Sequence, residues 1–230
     1  MADAIVLLLA GGSGVRLGGD IPKQYIEIEG RMIIDRCIES ISKCELISGI
    51  QIVADSTWRE HILDTCLNKE FILGFSDPGE NRALSILNGL NDLANDHPED
   101  TAVIIHDAAR PLVSDKLLCE CIEGLVQYDG IMPVLPMKDT VYYKGDNGLE
   151  LLERDRVCAG QAPEAFRLGV YLKAYQSLGK EKLLNIKGST EPALLAGLRI
   201  GTIEGDESNF KITTKEDLER YRIIIEHSNF

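Results

Sequence analysis

Short apolar runs alternate along this chain with longer stretches of helical period, the sequence form of a mostly parallel sheet covered by helices on both faces. The expected class is therefore α/β and Rossmann-like. Strand Ala4 to Leu9 comes first. A helix from about Met32 to Lys43 follows, with Ile33, Ile34, Cys37, Ile38 and Ile41 on one stripe. Next come strand Gly49 to Ala54 and helix Thr57 to Leu67, for which Asp55 and Ser56 are N-cap candidates. A third helix spans about Asn81 to Ala94, and strand Ala102 to His106 runs into HDAARP, where Pro111 breaks the chain. Between Asp129 and Arg156 the pattern changes. Met132 to Thr140 holds two prolines, and Val141 to Glu153 reads as strand, Gly-Asp-Asn-Gly turn, strand, which makes a projecting β-arm at about 136–156. The last part gives a helix near Leu168 to Leu178, a strand Leu198 to Ile203 and a helix after Thr214, whose Thr214 and Asp217 form a capping box with Asp in place of Glu. No repeat or linker interrupts the 230 residues, a length that suits one domain, 1–230.

The net charge of −13 repels polyanions unless basic residues are gathered locally, so nucleic acid is not an expected partner. Six cysteines without C-x-x-C spacing read as reduced, mostly buried thiols. Cys119 and Cys121 flank Glu120 on a helix and point in different directions, which makes them poor joint metal ligands. The opening MADAIVLLLAGG carries Asp3 and no basic leader, and its apolar run is too short to span a bilayer. The expectation is a cytoplasmic protein with no membrane partner.

Directly after the first strand comes LLAGGSGVRLGGDIPKQY, with five glycines within nine residues and the cations Arg16 and Lys23. Glycines in this place let the backbone approach a ligand and turn N–H groups toward phosphate oxygens, although glycines alone also suit a flexible turn. A Walker loop needs Gly-Lys-Ser/Thr, and a dinucleotide fingerprint needs glycine where Leu17 stands; neither spacing is met.

The segment resembles the loop of sugar and polyol nucleotidyltransferases, small-Gly-Gly-x-Gly-x-Arg-Met/Leu followed by Pro-Lys-Gln. Four further segments are similar to the cytidylyltransferases that activate 2-C-methyl-D-erythritol 4-phosphate and D-ribitol 5-phosphate: GENRALSILNGL, HDAARP, MKDTVYY with Arg154, and SNFKITTKEDL. The resemblance implies the nucleotide-diphospho-sugar transferase type of fold and transfer of CMP from CTP to a polyol phosphate with release of pyrophosphate. It implies Arg16, Lys23 and Lys211 as catalytic residues. It implies CTP binding by Ala10, Gly11, Gly12, Gly14 and Asp107, with Gly79, Glu80 and Ser85 at the base. Asp107 becomes the ligand of a Mg²⁺ cofactor, and Thr140, Arg154, Lys211 and Arg110 become polyol-phosphate ligands, Arg110 being equally suited to a structural role. His106 is not expected to act as a base, because the attacking phosphate oxygen is already ionised at neutral pH. The family's arm implies a homodimer in which Thr140 and Arg154 reach the acceptor bound by the other chain.

Two segments depart from the pattern. Ala162-Pro163-Glu164 stands where the family commonly reads Thr-Pro-Gln, and Thr190-Glu191-Pro192-Ala193 where it commonly reads Thr-Asp-Glu/Ala-Ala/Cys. Both lie on the acceptor side, so the acceptor stays open between methylerythritol phosphate, which Ala108-Ala109 favours, and ribitol phosphate, which LAGGSG and Ser208-Asn209 favour. A nucleotide-binding module without turnover would lack catalytic cations, and these are present.

Overall fold

The computed structural model describes residues 4–12, 21–146 and 148–228. In chain order the first half comprises β1 (Ala4–Leu9), β2 (Glu27–Ile28), β3 (Arg31–Met32), α1 (Ile33–Ser42), β4 (Ile47–Val53), α2 (Ser56–Thr65), β5 (Ile72–Ser76), α3 (Arg82–Asp96) and β6 (Ala102–Asp107). The second half comprises α4 (Asp115–Gly124), β7 (Gly130–Pro136), β8 (Tyr142–Gly145), β9 (Gly148–Leu151), β10 (Cys158–Gly160), β11 (Glu164–Arg167), α5 (Leu168–Gln176), α6 (Lys180–Asn185), α7 (Glu191–Leu195), β12 (Ile200–Glu204) and α8 (Lys215–Ser228).

Strands β5, β4, β1 and β6 lie side by side and parallel. Strand β11 runs antiparallel between β6 and β7, and β12 lies parallel on the far side of β7. The period of two along a strand buried on both faces decides the layers. Ala4, Val6 and Leu8 of β1 pack with Ile34, Cys37 and Ile38 of α1 and with Leu118 and Cys121 of α4. Ile5 and Leu7 enter the opposite core with Ile86 and Leu90 of α3 and Tyr171 and Tyr175 of α5. A smaller core joins α8, through Tyr221 and Ile225, to Ile28, Ile33 and Ile212.

The first strand and the helices α1, α2, α3, α5 and α8 fall where the sequence puts them, within a residue or two at most ends. Asp55 caps α2, its carboxylate accepting from Thr57 N–H at 3.0 Å. The Thr214 box forms in both directions, Thr214 N–H donating to Asp217 at 2.9 Å and Asp217 N–H to the Thr214 hydroxyl at 3.2 Å. Over Met132 to Thr140 the sequence reading noted two prolines and named no strand, and so missed β7. Proline is tolerated in a sheet at edges and bulges, and Pro133 sits opposite the interruption between β10 and β11, its carbonyl accepting from Gln161 N–H at 2.8 Å. The hairpin β8–β9 is present, with Tyr142, Tyr143, Leu149 and Leu151 all exposed. Among the described residues no helix is long and apolar enough to cross a membrane.

Candidate active site

In the parallel register of β1 and β6, Leu9 pairs with Asp107, so the glycine loop and the HDAARP turn leave the sheet side by side at its carboxyl edge. Open α/β sheets bind ligands at that edge. A cavity of about 390 Å³ opens there. Gly11, Gly12, Lys23, Gly79, Glu80, Ser85, Asp107 and Lys211 from the expected set all line it. Gly14 and Arg16 lie outside the described residues.

The glycine loop is held from its far end. Pro22 (φ −59°) starts a 3-10 turn over Lys23–Tyr25. Buried Gln24 then donates from Nε2 to the carbonyls of Ala10 (2.5 Å) and Gly12 (2.8 Å), and the Tyr25 hydroxyl donates to Ala10 at 3.0 Å. Tyr25 in turn stacks on Trp58, with ring centroids 4.1 Å apart. These bonds consume the carbonyls of Ala10 and Gly12, and the Ala10 N–H donates to Val53 O at 2.9 Å, so buried Ala10 braces the loop and does not line the cavity. Lys23 Nζ donates to Ile212 O at 2.6 Å, and Ile212 N–H donates to Ala109 O at 2.9 Å. The segment 209–213 is thereby tied to both loops.

The turn before α3 forms the opposite wall. Asn81 caps α3, accepting from Leu84 N–H at 2.9 Å. The Ser85 hydroxyl accepts from Gly79 N–H (3.0 Å) and donates to Asn81 O (2.9 Å). Position 79 has no room for a side chain: a Cβ there would lie 2.5 Å from Leu84 Cβ and 2.6 Å from its carbonyl carbon. The Glu80 carboxylate pairs with Lys180 of α6.

Asp107 is enclosed by cations. Its Oδ1 lies 3.2 Å from Arg82 Nη2, and its Oδ2 lies 2.9 Å from Lys211 Nζ and 3.5 Å from Arg110 Nε. Burial works against the charge, but Arg82, Lys211 and Arg110 outweigh it and hold the carboxyl far below the usual range. Burial pushes the His106 imidazole down to about 4. A neutral ring facing a carbonyl must donate, so Nε2–H is the donor to Arg110 O at 3.0 Å. Arg110 itself is turned inward, donating to Asn209 O at 2.7 Å, and is not among the residues lining the cavity.

Arg82 and Gln24 are the residues that sequence reasoning passed over. Arg82 opens α3, where a cation runs against the helix dipole; that misfit was the available signal. Thr140 and Arg154 share a separate open groove on the arm, formed with residues 151–153 and 155. The Glu164 carboxylate is buried and accepts from Ser189 (2.7 Å) and Thr190 (2.6 Å), and burial raises its pKa. It and Ala162 lie off the lining of the cavity. The departures at 162–164 and 190–193 thus join β11 to the start of α7.

A glycine loop and converging cations at the carboxyl edge of such a sheet suit the phosphates of a nucleotide, the arrangement of a nucleotidyltransferase. The family model described as 2-C-methyl-D-erythritol 4-phosphate cytidylyltransferase matches residues 4–227, and the chain belongs to that family. It is 32% identical over 220 residues to the 2-C-methyl-D-erythritol 4-phosphate cytidylyltransferase of Thermotoga neapolitana, covering 96% of each chain. It is also 32% identical over 227 residues to the bifunctional ribulose 5-phosphate reductase/CDP-ribitol pyrophosphorylase of Haemophilus influenzae, covering 93% of this chain and 46% of that one. The solved 2-C-methyl-D-erythritol 4-phosphate cytidylyltransferase of Francisella tularensis superposes with a TM-score of 0.81 at 27% identity, covering 96% of this chain and 99% of the other.

Proposed function

We propose that this chain, acting as one domain, transfers CMP from CTP to 2-C-methyl-D-erythritol 4-phosphate and releases pyrophosphate. The observation that carries this reading is the convergence of Lys23, Arg82 and Lys211 on one cavity between the glycine loop and the Gly79–Ser85 turn. The backbone of Gly11, Gly12 and Gly14 receives the triphosphate, with Arg16 and Lys23 as the cations at the α-phosphorus; Ala10, expected there too, has both backbone groups engaged within the chain and supports the loop instead. Gly79, Glu80 and Ser85 face the cytosine. Lys211 turns from Asp107 to the acceptor phosphate, whose ionised oxygen attacks in line. Little covalent chemistry is left to the protein, so rate comes from positioning and from charge stabilisation.

A cavity carboxylate flanked by cations, Asp107, suits a Mg²⁺ that arrives on the triphosphate and keeps several waters. Asp107 is the residue that would hold it, and the ion would neutralise charge on the triphosphate. Arg110 braces the Lys211 segment through Asn209. The arm completes the acceptor site of a second copy in a homodimer, with Thr140 and Arg154 reaching the partner's acceptor; the exposed apolar side chains of β8 and β9 support this. Cytoplasmic residence fits these soluble substrates.

D-ribitol 5-phosphate is the second reading, and the Haemophilus relative, at the same 32% identity, favours it. A pyrophosphate-release assay with CTP and Mg²⁺ decides between the two acceptors. Turnover should be faster with methylerythritol phosphate by tenfold or more in kcat/KM, an order-of-magnitude expectation for a pocket that matches one acceptor's hydroxyls. The opposite ratio would install ribitol phosphate, and no pyrophosphate with either would sink both.

A further inference from the structure

Cys44, Asp115 and Cys119 meet on the face of the sheet covered by α1 and α4, and none of them lines the cavity. Cys44 follows α1, while Asp115 and Cys119 stand one turn apart on the same side of α4. Cys44 Sγ lies 3.6 Å from Cys119 Sγ, and Cys119 Sγ lies 3.5 Å from Asp115 Oδ1. All three ligand atoms fall within 4.8 Å of one another. In a tetrahedral zinc site with Zn–S about 2.3 Å and Zn–O about 2.0 Å, the sulfur–sulfur edge is about 3.8 Å and the sulfur–oxygen edge about 3.5 Å.

We propose that Cys44, Cys119 and Asp115 form a binding site for a thiophilic divalent cation of the zinc class. The two edges that meet at Cys119 match those of a tetrahedral ion, with the fourth position left for water on the exposed Asp115 side. A dithiol switch would need the two sulfurs alone; the carboxylate closing the triangle is what a cation requires. Such a site selects Zn²⁺ or Co²⁺ over Mg²⁺, which takes oxygen ligands. It is distinct from the reaction centre yet coupled to it by the chain. Ser40 and Cys37 of α1 already contact the carbonyls of Pro111 (2.9 Å) and Arg110 (3.6 Å), in the turn between Asp107 and α4. A bound cation would staple the end of α1 to the start of α4 and so brace that turn.

The test uses the full chain, reduced and stripped of metal, titrated with Co²⁺. One equivalent should give thiolate-to-cobalt charge-transfer absorption that Zn²⁺ displaces and excess Mg²⁺ does not. Zn²⁺ at a hundredfold excess over its Kd should raise Tm by about 5–10 °C. Cys44→Ser and Cys119→Ser should each abolish the band while melting near wild type without metal, and Cys158→Ser should keep it. Absence of the band in the wild type overturns the proposal even if a variant fails to fold. So does a band that survives both substitutions, or air oxidation to a Cys44–Cys119 disulfide with no metal retained by the reduced protein.

Discussion

Around Asp107, charge is answered within the chain. Three cations meet one carboxylate, Gln24 takes two loop carbonyls, and Ser85 bonds on both sides of its turn. On the arm, Arg154 donates to Lys138 O at 3.3 Å, lies 3.9 Å from Asp155, and keeps 55% of its side chain exposed. Two four-residue strands with their apolar side chains in water are marginal by themselves. On the proposed reading, the difference teaches that one chain would carry a preorganised nucleotide half, whereas the acceptor half would need a second surface to fix it. Preorganised charge acts without reorganising during reaction. Removing it should therefore cost rate at the chain's own site, while a change in the arm should cost rate at the partner's site.

The largest effect is expected at Lys23. Lys23→Ala should lower kcat by about 10² to 10³, the scale for losing one preorganised donor, with the circular dichroism of the fold unchanged. Pyrophosphate release at saturating substrates measures it. Turnover above about a third of wild type would remove Lys23 from the reaction and weaken the contrast with the arm.

Mixing comes next. Arg154→Ala and Lys211→Ala homodimers should each be nearly inactive, and verified heterodimers should regain about a quarter to a half of the wild-type rate, because one of two sites is rebuilt intact. A monomer in sedimentation, or heterodimers without recovery, would end the shared site and leave the arm without an acceptor role.

How far each half was legible follows from sequence distance. The glycine loop, the capping box and the arm hairpin are local patterns whose residues lie within a few positions of one another, and they could be read directly. Arg82 could not be weighed, because its meaning comes from Asp107, 25 residues on. Gln24 gains its role by folding back 12 and 14 residues onto loop carbonyls. Pro133 argued against β7 until β10 and β11 supplied an interruption opposite it. The pairing of Cys44 with Cys119 spans 75 residues, and no local spacing announces it.

Acid should loosen the nucleotide half through His106. Its Nδ1 is buried without a partner, and burial lowers the folded pKa to about 4 from 6.5. Between those values the unfolded chain takes up a proton that the folded chain refuses, so stability falls as pH drops from about 6.5 toward 4. The slope from one such proton is about 1.4 kcal/mol per pH unit. Urea unfolding of wild type and His106→Gln across this window should show a slope shallower by about that amount in the variant. Equal slopes would mean that His106 charges freely in the folded state.

The smallest effect sharpens the comparison most, because it asks which half Ser85 serves. Ser85→Ala leaves the Gly79 N–H without the hydroxyl that accepts from it at 3.0 Å. An unpaired buried donor costs about 1–3 kcal/mol, and cavity water should hold the loss near the lower end. Gly79 packs closely against Leu84, which fills the space that even a methyl group would need. The turn should therefore lose its order and keep its path. KM for CTP should rise about tenfold while kcat stays within about threefold, the signature of lost uniform binding. The wild-type preference for CTP over UTP, expected to be at least about tenfold because the 4-amino group swaps a donor for an acceptor, should shrink in the same variant. Ser85→Thr keeps the hydroxyl and should restore most of both. If KM for CTP holds and KM for the acceptor rises instead, Ser85 belongs to the acceptor, and the division between a preorganised nucleotide wall and an arm that awaits its partner has been drawn in the wrong place.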